Sequence, residues 1–170
     1  MEINNVLKAI YDRRSVRTFL DKEVDNDLIN EIIKAGSYAP SGLNNQPWRF
    51  VIIKDTDVKT SISKLTHYSK IILSAKLLIG VMLDKGDSYH REKDIQAVGA
   101  CIQNMLLAIH SLDLGAVWLG EILKSKEKFN EILSIDDSME LMAVIALGHK
   151  SDEKLKPTRK DIKELIIKSE

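Results

Sequence analysis

Apolar residues recur at Ile3, Val6, Leu7 and Ile10, spaced three and four apart. That is the stripe of an amphipathic helix. It runs into Arg13-Arg14-Ser15-Val16-Arg17. A second helix is predicted from Asp25, a good N-cap, through Leu28, Ile29, Ile32 and Ile33 to Gly36. Phe50–Ile53 reads as a strand, residues 57–74 as helix in one or two pieces, and Leu77–Leu83 as a buried strand. From Ile95 to Leu112 apolar side chains occupy nearly every face, the pattern of a helix in a core or an interface. Val117–Leu119 predicts a short strand, residues 125–133 an amphipathic helix, and Leu141–Leu147 a buried strand ended by Gly148. A last helix is predicted near residues 159–168, after Pro157. Helices alternating with buried strands imply an α-with-β class around one sheet. The pattern leaves open whether that sheet is parallel or mixed.

Neither repeats nor a linker interrupt residues 1–170, so one domain is expected. The 25 basic and 25 acidic residues cancel, which argues against a nucleic-acid binder. Cys101 is the only cysteine; inside an apolar helix it reads as a buried, inert thiol. There is no secretory pattern at the N-terminus and no apolar run of the roughly 20 residues that span a bilayer. A cytoplasmic protein with no membrane partner is the expectation.

Two segments offer chemistry. Three of the six arginines, Arg13, Arg14 and Arg17, fall within five residues, with Ser15 among them. Guanidinium forks match phosphate oxygens in pairs. The same residues could simply complement the dipole at a helix end. The second segment is Ala39-Pro40-Ser41-Gly42-Leu43-Asn44-Asn45-Gln46-Pro47. Its amides both donate and accept, as the edge of a flavin ring requires. Two prolines stiffen it, and Trp48 is placed to pack beneath it. A well-formed turn between helix and strand accounts for the same composition.

Taken together, the two motifs closely resemble those of the nitroreductase family of FMN enzymes. Gly115-Ala116-Val117-Trp118-Leu119-Gly120, Gly148-His149-Lys150 and Arg159 extend the likeness over essentially the whole chain. The resemblance implies an α/β/α sandwich whose central sheet is mixed and mainly antiparallel. It implies a homodimer with FMN at the subunit interface. Arg13 and Ser15 would meet the phosphate and ribityl chain, with Arg14 beside them and Arg159 completing the anion site. Arg17 would lie near the N1/O2 edge, where positive charge stabilises the reduced ring. Pro40, Ser41, Gly42, Asn44 and, less firmly, Gln46 would come from the other subunit. Backbone groups of Leu119 and Gly120 would approach N5. The chain looks like a compact branch of the family, without the inserted helices and long C-terminal arm of larger members.

The resemblance also implies ping-pong chemistry, in which NAD(P)H delivers a hydride to the flavin and a nitroaromatic, quinone or similar acceptor then removes it. No catalytic side chain is needed. His67, His90, His110 and His149 lack metal-ligand spacing. Tyr68, Tyr89 and His90 are candidate pocket walls or plain surface residues. Asp12, Asp84 and Glu121 are unpaired acids in the sequence, Glu121 having a mild claim because it follows Gly120. Alternatives are a flavin-binding or storage module without enzymatic activity, a dehalogenase-like flavin enzyme on the same fold, and an α+β domain whose arginines only cap a helix.

Overall fold

A computed structural model describes residues 4–151 and 156–170. Four strands build one sheet: β1 (Trp48–Ile53), β2 (Leu77–Asp84), β3 (Leu114–Leu119) and β4 (Met139–His149), in the order β1-β2-β4-β3. Every neighbouring pair is antiparallel. The mixed character enters through a single parallel bridge, Ser15 to Ala116.

Alternation along the two central strands assigns the two faces. Leu77, Ile79, Val81 and Leu83 of β2, with Ala143, Ile145 and Leu147 of β4, join Ile29 and Ile32 of α2 (Asn26–Ser37). The same cluster contains Val98, Ile102 and Met105 of α5 (Arg91–Ser111). Leu78 and Met82, with Leu141, Val144 and Ala146, face the opposite layer of α3 (Thr56–Ser63), α4 (Ser69–Ser74) and α6 (Lys126–Leu133). Strands covered on both sides read as unbroken apolar runs, which is why the sequence showed them so clearly. At the centre of the second layer the buried Phe129 ring lies under Gly80, where an added Cβ would come within 3.0 Å of it. Trp48 packs into the first cluster, beside α5.

Asn4 caps α1 (Asn5–Asp12) by accepting from the Leu7 amide at 3.0 Å. No residue of α1 is buried, and Val6 is 65% exposed. Leu7 and Ala9 are half-covered where α1 meets α5, while Val6, Ile10 and Tyr11 stay exposed.

Three expectations need correction. Gly148 does not end β4; it pairs with Gly115 inside the ladder, and the strand continues to His149. The last helix is one capped turn, α7 (Ile162–Leu165), too short to bury a face. Residues 156–170 are exposed throughout. The long apolar helix, α5, begins earlier than its apolar run, at Arg91, because Glu92 and Asp94 suit the first turn of a helix. No helix among the described residues is long and apolar enough to cross a membrane.

Candidate functional site

After α1 the chain becomes extended and lies against the edge of the sheet. Ser15 bridges Ala116, the Val16 amide donates to the Ala116 carbonyl at 2.9 Å, and the Leu20 amide donates to His149 at 2.9 Å. The paired glycines make this possible. A Cβ on Gly115 would lie 2.8 Å from Val16, and one on Gly148 would lie 3.2 Å from Phe19. From Ser15 beside Ala116 the segment passes Gly115 at Val16 and Gly148 at Phe19, which bridges Lys150 just after β4.

Among the described residues no carboxylate pairs with Arg13, Arg14, Arg17 or Arg159. Burial, then the charges of Arg159 and Arg14, lower the pKa of Arg13. Arg159 is therefore near enough for its charge to be felt at Arg13, while its own Nη1 donates to the Thr158 carbonyl at 2.7 Å. Arg14 donates from Nη1 to the Tyr11 carbonyl at 2.6 Å and to Arg13 at 2.9 Å, which caps α1 as the blander reading expects. Its Nε is nevertheless buried without a partner. Arg17 is exposed and donates to the Ser15 carbonyl at 3.1 Å. A cavity of about 270 Å³ adjoins the cluster, lined by Arg13, Arg14, Lys150 and His110 over Leu106 and Ile109. Lys150 is already paired with Asp113.

The asparagine loop is tied to itself and to its surroundings. Ser41 Oγ accepts from the Gln46 amide at 3.0 Å, and the Asn45 amide donates to Gly42 at 3.1 Å. Leu43, Asn44 and Gln46 all take positive φ, near 50°, a costly conformation that the surrounding bonds must hold. A Cβ on Gly42 would lie 1.9 Å from the Tyr89 hydroxyl, so any larger residue displaces the tyrosine ring from the loop. Pro40, Asn44 and Gln46 are exposed, with Ser41 and Gly42 half-buried. Asn45 is different: its Nδ2 points inward, to Asp94 Oδ1 at 2.8 Å and the Asp87 carbonyl at 2.9 Å. The sequence reading missed Asp94. Its only signal was an acid on the apolar side of a helical first turn.

At the far end of β3, Leu119 is buried and Gly120, the next residue, is exposed. A Cβ on Gly120 would meet nothing within 4 Å, so a ligand can approach the chain there. Glu121 is no free acid. Lys124 first, and then the Thr66 hydroxyl at 2.5 Å, hold its carboxyl down at about 2. Asp84 pairs with Arg49 at 3.1 Å. Burial pushes the Cys101 thiol up to about 12, which leaves it unreactive. No cluster of three or more metal-ligating side chains occurs among the described residues.

One protomer does not bring the two motifs together. Pro40, Ser41 and Gly42 border the stretch of α5 from Lys93 to Ala100, whereas Arg13 and Arg14 border Leu106 to His110. At 1.5 Å per helical residue, Ala97 and Ile109 are about 18 Å apart.

The sequence matches the Nitroreductase family model over residues 10–75 and 61–149. The chain belongs to the nitroreductase family. A provisionally named NADH dehydrogenase/NAD(P)H nitroreductase of Archaeoglobus fulgidus is 33% identical over 151 residues, covering 87% of each protein. FMN reductase [NAD(P)H] of Bacillus subtilis is 25% identical over 175 residues, covering 92% of this chain and 70% of the relative. The crystal structure of a provisionally named nitroreductase from Desulfovibrio desulfuricans, in complex with FMN, superposes with a TM-score of 0.95. It is 41% identical, with 99% of both chains covered. Family membership accounts for the sheet order, the glycine-floored edge and the arginine cluster together.

Proposed function

We propose that this nitroreductase-family chain is an FMN-dependent oxidoreductase. It takes reducing equivalents from NADH or NADPH and delivers them to a nitroaromatic, quinone or similar acceptor in a ping-pong cycle. The observation that carries the reading is the arginine cluster: Arg13 and Arg14 form no ion pair among the described residues although Asp12 lines the same cavity, Arg13 feels the charge of Arg159, and Arg14 Nε is buried and unpartnered. Like charges assembled in this way are stabilised by a phosphate dianion. The residues fit FMN at its other end too, since the edge beside Gly120 is open to a ligand.

FMN supplies the redox chemistry when bound, accepting two electrons from one substrate and yielding them to the other. The chain binds, orients and tunes. Arg13, Arg14, Ser15 and Arg159 hold the phosphate and ribityl portion, and Arg17 places positive charge beside the ring. Leu119 and Gly120 present backbone to the central ring. Pro40, Ser41, Gly42, Asn44 and Gln46 reach the ring from the partner subunit. No side chain is required as nucleophile, acid or base.

The site is shared within a homodimer. The separation of the two motifs in one protomer supports this. So does uncovered apolar surface: Val6, Ile10 and Tyr11 on α1, and Ile162, Leu165 and Ile166 near the C-terminus. Contiguous exposed apolar patches mark interaction surfaces.

The purified protein should show the visible absorption of bound flavin, and stopped-flow mixing with NADH or NADPH should bleach it. A colourless protein that ignores added FMN overturns the reading. A yellow protein that no donor bleaches leaves a binding module. Light scattering should give a dimer; a monomeric holo-protein rules out the shared site.

A further inference from the structure

We propose that Asp94 positions loop 40–47: its buried carboxylate holds Asn45 and so fixes the backbone that meets FMN. The inference rests on the flavin assignment above. Asp94 has no exposed surface, yet it carries a full set of donors. Its Oδ2 accepts from Ser88 Oγ at 2.7 Å, the His90 amide at 2.9 Å and the Tyr89 amide at 3.0 Å, and its Oδ1 accepts from Asn45 Nδ2 at 2.8 Å. Burial pushes this carboxyl up, but the bonds from Ser88, Asn45, His90 and Tyr89 outweigh it and leave the pKa lowered. A charged acceptor at the start of α5 is also favoured by the helix dipole.

The amide has one workable orientation. Both neighbours of Asn45 Nδ2, the Asp94 carboxylate and the Asp87 carbonyl, are acceptors. Turning the amide would face oxygen with oxygen. The structure keeps this orientation although Asn45 Oδ1 is left buried and unpartnered. Holding Asn45 holds Asn44 and Gln46 on either side of it, both at positive φ.

A second tie exists at the loop's far end. Arg49 donates to the Gln46 carbonyl at 3.2 Å and pairs with Asp84 and Asp87. Its side chain is 43% exposed, where ion pairs contribute about 0–1 kcal/mol. The buried bond to Asp94 is the stronger constraint.

The test titrates FMN into the apo form of the full chain and of variants, following flavin fluorescence and the visible band. Asn45→Ala should weaken FMN binding by about tenfold, the effect of losing one charge-assisted hydrogen bond, and shift the bound spectrum toward that of free FMN. Its circular dichroism should stay native. Asp94→Asn should behave alike, and the double variant should lose no more than the worse single one, because both break the same tie. Ser88→Ala leaves the tie in place and should bind within about twofold of the native chain. Asn45→Ala with native affinity and spectrum overturns the inference, as does a double variant in which the losses multiply. Asn45→Ala leaves Asp94 its bonds from Ser88, Tyr89 and His90, and keeps the test valid if Asp94→Asn does not fold. Native protein that fails to bind FMN defeats the flavin assignment itself; native binding with unchanged variants defeats only the role of Asp94.

Discussion

At the scale of single residues, charge and space divide the work. Arg13 is held partly buried beside two like charges, so its free energy improves when an anion arrives. Arg13→Ala should weaken FMN binding by about tenfold or more, on the basis of about 1.5–3 kcal/mol for a charged hydrogen bond. A fluorescence titration checks this. Arg17→Ala should also lower affinity and shift the flavin midpoint potential downward. An unchanged potential with FMN bound would contradict the charge effect. Gly115 works through space. Gly115→Ala places a Cβ 2.8 Å from Val16, so the arginine segment must move off β3. Overpacking of this kind costs about 1–3 kcal/mol, and FMN affinity should fall with the thermal midpoint.

At the scale of elements, one carboxylate and one ring link the layers. Glu140 on β4 takes both nitrogens of Arg91 at the start of α5, at 2.7 and 3.0 Å, and Lys126 at the start of α6 at 2.9 Å. Arg91 foremost holds the Glu140 carboxyl down at about 2, against an ordinary 4.5. The contribution to stability is complete above about pH 4.5 and is lost as pH falls toward 2. Urea midpoints measured from pH 7 to pH 3, at fixed protein concentration, should drop more steeply for the native chain than for Glu140→Gln. Phe129 is the corresponding apolar link, filling the space that Gly80 leaves. Phe129→Ala should destabilise by about 3–5 kcal/mol, with two-state unfolding retained.

At the scale of the whole molecule, the arginine cluster and the asparagine loop lie toward opposite ends of α5. The proposed dimer, with one protomer's loop over the other's arginines, would account for two motifs that one protomer keeps apart. The same dimer would cover the exposed Ile162, Leu165 and Ile166, which lie on a segment too short to form its own core. Removing residues 156–170 should therefore weaken both dimer and FMN binding, the first read by light scattering at falling concentration. The loss of Arg159 contributes only to the second, so Arg159→Ala in the full chain separates the two.

The sequence by itself determined the buried strands, most of the helices and, through its two motifs, the family, because burial on two sides leaves continuous apolar strands and because guanidinium, amide, glycine and proline are chemically distinctive. Its errors fell where a residue's role depends on something distant. Gly148 looked like a stop signal, yet its smallness serves Phe19 from another segment. The stretch at 159–168 looked helical, yet a periodic pattern without a covering surface yields only one turn. Asn45 looked like its neighbours until Asp94, 49 residues away, drew its amide inward. Such choices arise from contacts between remote segments, and local pattern carries no record of them; only the tertiary structure decided them.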